Sequence, residues 1–165
     1  NLYVFNRYTK QFWKENGITQ FTVPLELNAK ELVHRNNKNS ELTVYGYTPM
    51  MVSVQCVQKT MDHCNHACVQ YVLKDRYQKE FRGVCSCEFC YNTIYNTLPT
   101  SLLKEKEKAE KLGVKAYRLS FTIETQQETE KIVRAFVDVY LRGQKPDGQM
   151  QTEETTKGHF QRGVE

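Results

Sequence analysis

All six cysteines of this 165-residue chain lie between Cys56 and Cys90, and two of its four histidines, His63 and His66, lie among them. This confinement constrains the fold more than any other feature, because thiols so close in sequence are brought together in space. Their meeting has three chemical outcomes: disulfides, a shared metal, or a catalytic thiol. The spacing is Cys56-x7-Cys64-x3-Cys68-x16-Cys85-x-Cys87-x2-Cys90. A Cys-x2-Cys pair puts two thiolates on one tight turn, where both reach a single ion or cluster, and two cysteines from another loop complete four-fold ligation. Cys56, Cys64, Cys87 and Cys90 make such a set, and sets using Cys68 or Cys85 are also open. Zinc accepts four cysteines, or three with His63 or His66, whereas iron–sulfur clusters are usually held by four cysteines.

Composition weighs the three outcomes. Hydrophobic residues make up 39% and charged residues 25%, so a packed core is feasible without staples. Disulfide-dense domains are small, loop-rich and carry cysteine throughout, unlike this chain, which points to a reducing compartment, the cytoplasm. A catalytic thiol needs a base partner; His34 and His159 lie far from the cysteines in sequence, and His63 and His66 sit in a crowded thiol region. The net charge of +4 is too small to argue for nucleic acid by itself. No apolar run approaches the roughly 18 residues that cross a bilayer, so no membrane role is expected. The start, "NLYVFNRYTK", has neither an initiator Met nor a secretory pattern and reads as part of a longer protein.

The flanks alternate strands and helices. Arg7 to Asn16 has helical spacing, with Tyr8, Phe12 and Trp13 on one face and Gly17 as a stop. "ITQFTVP" reads as a strand closed by Pro24. Asn28 with Glu31 has capping-box spacing at the head of the helix "NAKELVHR". "ELTVYG" is a second strand. Inside the cysteine segment "VQYVLKDRYQKEF" alternates like a hairpin turning near Asp75 and Arg76. "SLLKEKEKAEKLG" reads as one charged helix with a solvated face, capped by Thr100 or Ser101 and stopped at Gly113. "VKAYRLSFTI" is a third strand, and "ETEKIVRAFVDVYLRG" a helix with Ile132, Val133, Phe136, Val137 and Tyr140 facing the core. The tail "QKPDGQMQTEETTKG" reads as loop or disorder, and "HFQRGVE" suggests no element.

This order predicts an α/β fold with parallel strands and right-handed crossovers. Three strands do not close a barrel of eight. The chain therefore reads as a partial (β/α) barrel-like unit, the closing part of a barrel whose N-terminal part is missing from this chain. A Cys-rich insertion containing a β-hairpin interrupts it. The divisions are residues 1–46 for the first β/α units, 47–98 for the metal-binding insertion, 99–143 for the final α/β/α segment and 144–165 for a polar tail.

Several stretches resemble the collagenase-like peptidase family U32. They are "VYGYTPMMVSVQC", "LKDRYQKEF", "CEFCYNTIYNTLP", "YRLSFTIE" and "GHFQRGVE", which together span most of residues 18–165. The resemblance implies the C-terminal portion of a β/α-barrel domain. It implies peptide hydrolysis by the family's name, or the oxygen-independent hydroxylation of RNA bases or ubiquinone precursors in which other members are implicated. Those members hold a 4Fe-4S cluster through four cysteines. Cys56, Cys87 and Cys90 match family ligand positions, and Cys64 is the fourth of the implied set. Where many members read His-Gly-x-x-Cys, this chain has Tyr45-Gly46 and Pro49. No Ser-His-Asp, HExxH or paired-Asp signature supports a peptidase. Zinc is the alternative metal, and a noncatalytic zinc-stapled binding module the alternative function.

In β/α barrels chemistry gathers at the C-terminal ends of strands, which singles out Glu26, Tyr45, Tyr47 and Glu124. Glu26 is a candidate acid or base, or a helix cap. Arg118 inside an apolar strand either binds an anionic substrate or forms half of a buried ion pair. Partners expected from these readings are a peptide or RNA substrate, with tyrosines such as Tyr91 and Tyr95 available either to stack on bases or to fill the core. The roles of Cys68 and Cys85 stay open between spare ligands, a disulfide and free thiols.

Overall fold

Asn6 and Gly17 bracket the first helix, α1 (Arg7–Glu15), of the computed structural model, which describes residues 3–62, 64–146 and 154–163. Asn6 Oδ1 accepts from the Thr9 N–H at 2.9 Å. Gly17 takes φ +81°, where a left-handed residue ends the helix cheaply. Tyr8 and Phe12 are exposed, and α1 buries no residue. Strand β1 (Phe21–Thr22) leads to α2 (Ala29–Val33), whose capping box is complete: Asn28 Oδ1 accepts from Glu31 N–H, and Glu31 Oε2 accepts from Asn28 N–H.

Strand β2 (Ser40–Gly46) is the hub of the first sheet. It pairs in parallel with β1 on one edge and with β8 (Ala116–Ser120) on the other. The short strand β7 (Thr100–Ser101) pairs antiparallel with its end, at Tyr45 and Gly46. A parallel bridge joins Tyr3 to Thr22, so the parallel strands lie side by side in chain order. Among the described residues the sheet is open and no barrel closes. Alternation divides its faces. Val23, Leu42 and Val44 meet Leu32, Leu102, Leu103, Phe136, Val139 and Phe160 in the core. Each such side chain contributes about 1.5–3 kcal/mol on full burial. A register shift between Thr43 and Tyr45 lets Val44 and Tyr45 both be buried. Thr22, Glu41 and Arg118 form a polar group beside this core: Thr22 Oγ1 donates to Glu41 Oε1 at 2.8 Å, and Arg118 Nη2 lies 2.6 Å from the same oxygen.

The second sheet is antiparallel and holds the residues between the two halves of the first. Its order is β3 (Pro49–Ser53), β6 (Tyr91–Tyr95), β5 (Glu80–Ser86), β4 (Gln70–Lys74). The expected hairpin is β4–β5, turning over Asp75, whose Oδ1 accepts from the N–H groups of Tyr77 and Lys79. Strands β3 and β6 were not anticipated. Asn96 N–H donates to Thr48 O at 2.9 Å and ties the base of this sheet to the end of β2.

The charged stretch 101–113 is not one helix. Ser101 pairs with Tyr45 in β7, a 3-10 turn covers Leu103–Glu105, and α4 is only Lys106–Glu110. Consecutive Leu102 and Leu103 are both buried, which a solvated helix would not achieve. Glu105 is buried too, held by Lys108 and Lys157. Helix α5 (Gln126–Phe136) starts earlier than expected, at a Thr125–Glu128 capping box, and runs into a π-helical turn, Val137–Leu141. Ala135, Phe136 and Val139 are buried, Ile132 and Tyr140 pack against the core, and Val133 is exposed. The end of the chain also departs from expectation. A 3-10 turn, Gly158–Phe160, puts Phe160 in the core, and Thr156 bridges to Thr100. The middle of the polar tail, residues 147–153, lies outside the described residues.

Candidate metal centre

The cysteines converge because three separate pieces of chain end at one place in the antiparallel sheet. Cys85 lies on β5 opposite Asn92, and its N–H donates to Val69 O at 2.9 Å. Immediately after β5 a 3-10 turn, Cys87–Phe89, carries the Cys-x2-Cys pair. Cys90 closes it with φ 52° and ψ 40°, its N–H reaching Cys87 O at 3.3 Å. Cys56 is the N-cap of a one-turn helix, α3 (Val57–Thr60). Asn92 Nδ2 donates to Gln55 O at 2.6 Å and pins that entry to β6. The loop after α3 is irregular, with Asp62 and His66 in the left-handed region, and delivers Cys64 and His66.

Two groupings result. Cys64 Sγ, a ring nitrogen of His66 and Cys87 Sγ all lie within 4.8 Å of one another. A chelating set of two thiols and an imidazole is borderline-soft and suits zinc or a related transition metal. Separately, Cys56 Sγ and Cys85 Sγ are 3.5 Å apart, both buried. Cys90 Sγ lies 3.7 Å from Cys87 O. All six thiols are free, with Cys64, Cys68 and Cys90 exposed. Of the expected set, Cys64 and Cys87 stand in the first grouping with His66, Cys56 stands in the second, and Cys90 lies beside Cys87.

The thiols differ in acidity. The Lys59 backbone N–H directed at Cys56 is the main influence holding that thiol below its ordinary range, against the opposing effect of burial. Burial, then the contact with Cys56, pushes Cys85 up. Burial pushes Cys87 up as well, helped by the neighbouring Cys64. A bound cation would lower each thiol that ligates it, because it stabilises thiolates and expels their protons.

Gln58 Oε1, Tyr71 Oη and Asn92 Oδ1, buried near the cluster, have no hydrogen-bond partner among the described residues. A cleft of about 250 Å³ runs past Tyr71 and Asn92, with Met51, Val57, Met61 and Ile94 as apolar wall.

The other candidates stand elsewhere. Glu26 is exposed in the turn between β1 and α2. Arg118 is half of the ion pair with Glu41. Tyr45 packs on Phe121 and Phe136 in the core. Glu124 Oε2 accepts from the N–H groups of Thr122 and Ile123, so it shapes the loop before α5. A second cleft, about 340 Å³, lies past the ends of β1 and β2, between Leu25, Leu27, Thr48, Thr100 and His159. His159 Nδ1 is 2.9 Å from Gly163 O. His63 lies outside the described residues. Sequence reasoning missed the Cys56–Cys85 contact, which joins residues 29 apart on separate elements.

Among the described residues no helix is long and apolar enough to cross a membrane. No protein-family profile, curated protein or solved structure matches the chain.

Proposed function

We propose that this chain is the metal-binding portion of a U32-type β/α protein, with a cysteine-ligated iron–sulfur centre serving redox or hydroxylation chemistry on RNA or a small aromatic substrate. The observation that carries the reading is the meeting of Cys64 and Cys87 within 4.8 Å, with Cys90 on the turn that Cys87 opens. Cys56, Cys64, Cys87 and Cys90 would hold the cluster, as the resemblance implies. When bound, such a cluster supplies electrons at a potential set by its hydrogen bonds and exposure.

The donor chemistry favours this over peptide hydrolysis. Hydrolytic metals keep an open position among nitrogen and oxygen ligands, whereas a site rich in thiolates is structural or redox-active. The cleft beside α3, with its apolar wall of Met51, Val57, Met61 and Ile94, supports a substrate recess. Parallel strands in chain order, with one face of β2 packed on the helices, support the barrel-sector architecture. A second reading, a zinc staple without catalysis, draws on one observation: a histidine stands in the grouping.

Anaerobic reconstitution with iron and sulfide tests the proposal. It predicts a brown protein with broad absorbance near about 400 nm and about four irons per chain, both lost in Cys87→Ser. A colourless protein that instead takes up one zinc per chain would replace the cluster by the staple.

A further inference from the structure

Cys85 is the buried thiol that the ligand set leaves over, and it touches a member of that set. Its sulfur is 3.5 Å from that of Cys56, a van der Waals contact between two sulfurs. Both residues are held from opposite sides. Cys85 is fixed in the β5–β6 ladder, and the segment before Cys56 is pinned to β6 by Asn92. A disulfide needs the sulfurs to close by about 1.5 Å, to the usual bond length near 2.05 Å. Cys85 is 0% exposed and Cys56 5% exposed, so only a small oxidant reaches the pair, and it reaches Cys56 first.

We infer that Cys56 and Cys85 form a peroxide-sensitive dithiol whose closure to a disulfide withdraws Cys56 from the metal centre. The chemistry balances with hydrogen peroxide as oxidant. The Cys56 sulfur attacks one peroxide oxygen, the O–O bond breaks, and Cys56 becomes a sulfenic acid as water leaves. The Cys85 sulfur then attacks the Cys56 sulfur, the S–S bond forms, the S–O bond breaks, and a second water leaves. Two thiols lose two electrons and two protons, and one peroxide becomes two waters. The release of metal rests on the reading of Cys56 as a ligand; the disulfide does not. Cys85 thereby acquires a function that ligation does not give it: it is the resolving thiol.

The test treats the protein, as purified and after chelation, with hydrogen peroxide. It then blocks free thiols with N-ethylmaleimide and maps disulfides by mass spectrometry while a chromogenic chelator reads released metal. The expected result is a Cys56–Cys85 linkage in both samples, with metal released in step in the first. Cys85→Ser should keep its metal content, lose the linkage and slow release at least several-fold. Linkage of a different pair, or both thiols still open to alkylation after unfolding, overturns the proposal. If the purified protein holds no metal, the metal-centre reading fails, while the linkage map on the same sample still decides the dithiol.

Discussion

Lys157 donates to the buried carboxylate of Glu105, whose other oxygen lies 2.6 Å from Lys108 Nζ. This ties the end of the described chain to the turn before α4. Burial raises the Glu105 carboxyl, but the two ammonium groups outweigh it, and the group sits below its ordinary value of 4.5. A carboxylate depressed in the folded state contributes stability above its unfolded pKa and loses it as pH falls through the folded one. Glu105→Gln should therefore cost about 1–3 kcal/mol at pH 7. The deficit should narrow as pH is lowered below about 4.5, because the parent loses the same contribution there. Urea unfolding at a series of pH values measures both; a pH-independent deficit contradicts the account.

Gly46 is the residue at which β2 leaves the first sheet. Its φ is +152°, and a Cβ there would stand 2.6 Å from Ser120 O, a backbone atom that cannot swing away. Gly46→Ala should lower stability by about 2–4 kcal/mol. Gly17→Ala, left-handed but facing open space, should cost about 1 kcal/mol. Thermal melts of the two variants give the comparison, and equal losses would show that crowding at Ser120 is relieved.

Arg118 and Glu41 join neighbouring parallel strands at 2.6 Å, with both side chains partly exposed. Solvent screening limits the pair, so a double-mutant cycle of Arg118→Met and Glu41→Gln should give a coupling of about 0.5–1.5 kcal/mol. Denaturant midpoints of the four proteins measure it. Zero coupling would return Arg118 to the pool of candidate anion-binding residues.

The cysteines should divide by role. Cys64→Ser and Cys87→Ser each remove a thiol from the close grouping and should lower bound metal at least about five-fold. Cys68→Ser should leave it within error, as Cys68 belongs to neither short contact. His66→Ala separates the two metals: an iron–sulfur centre on four cysteines survives it, and a zinc site that uses the imidazole does not. Metal analysis of the four purified variants reads the outcome.

The parallel strands, the Asn28–Glu31 capping box and the β4–β5 hairpin were legible because local rules govern them: alternation, cap chemistry and an Asp-led turn. The segment 101–113 misled because its lysine-glutamate pattern is a good helix, while the competing term was non-local, the pairing of Ser101 with Tyr45 and the burial of Leu102 and Leu103. The closing turn was invisible for the same reason. Nothing in "HFQRGVE" announces that Phe160 fills the core or that the preceding Lys157 meets Glu105. At the site, the sequence pointed to the convergence of thiols. The pairing of Cys56 with Cys85 depends on the register of β5 against β6, which spacing alone does not encode.

The most direct measurement is element-specific analysis of the protein purified without oxygen, joined to X-ray absorption at the edge of the metal found. The account predicts iron, about four per chain with matching sulfide, in a shell of sulfur at about 2.3 Å, absent from Cys87→Ser. A chain that carries no metal, or one whose metal is surrounded by oxygen and survives Cys87→Ser unchanged, would contradict it.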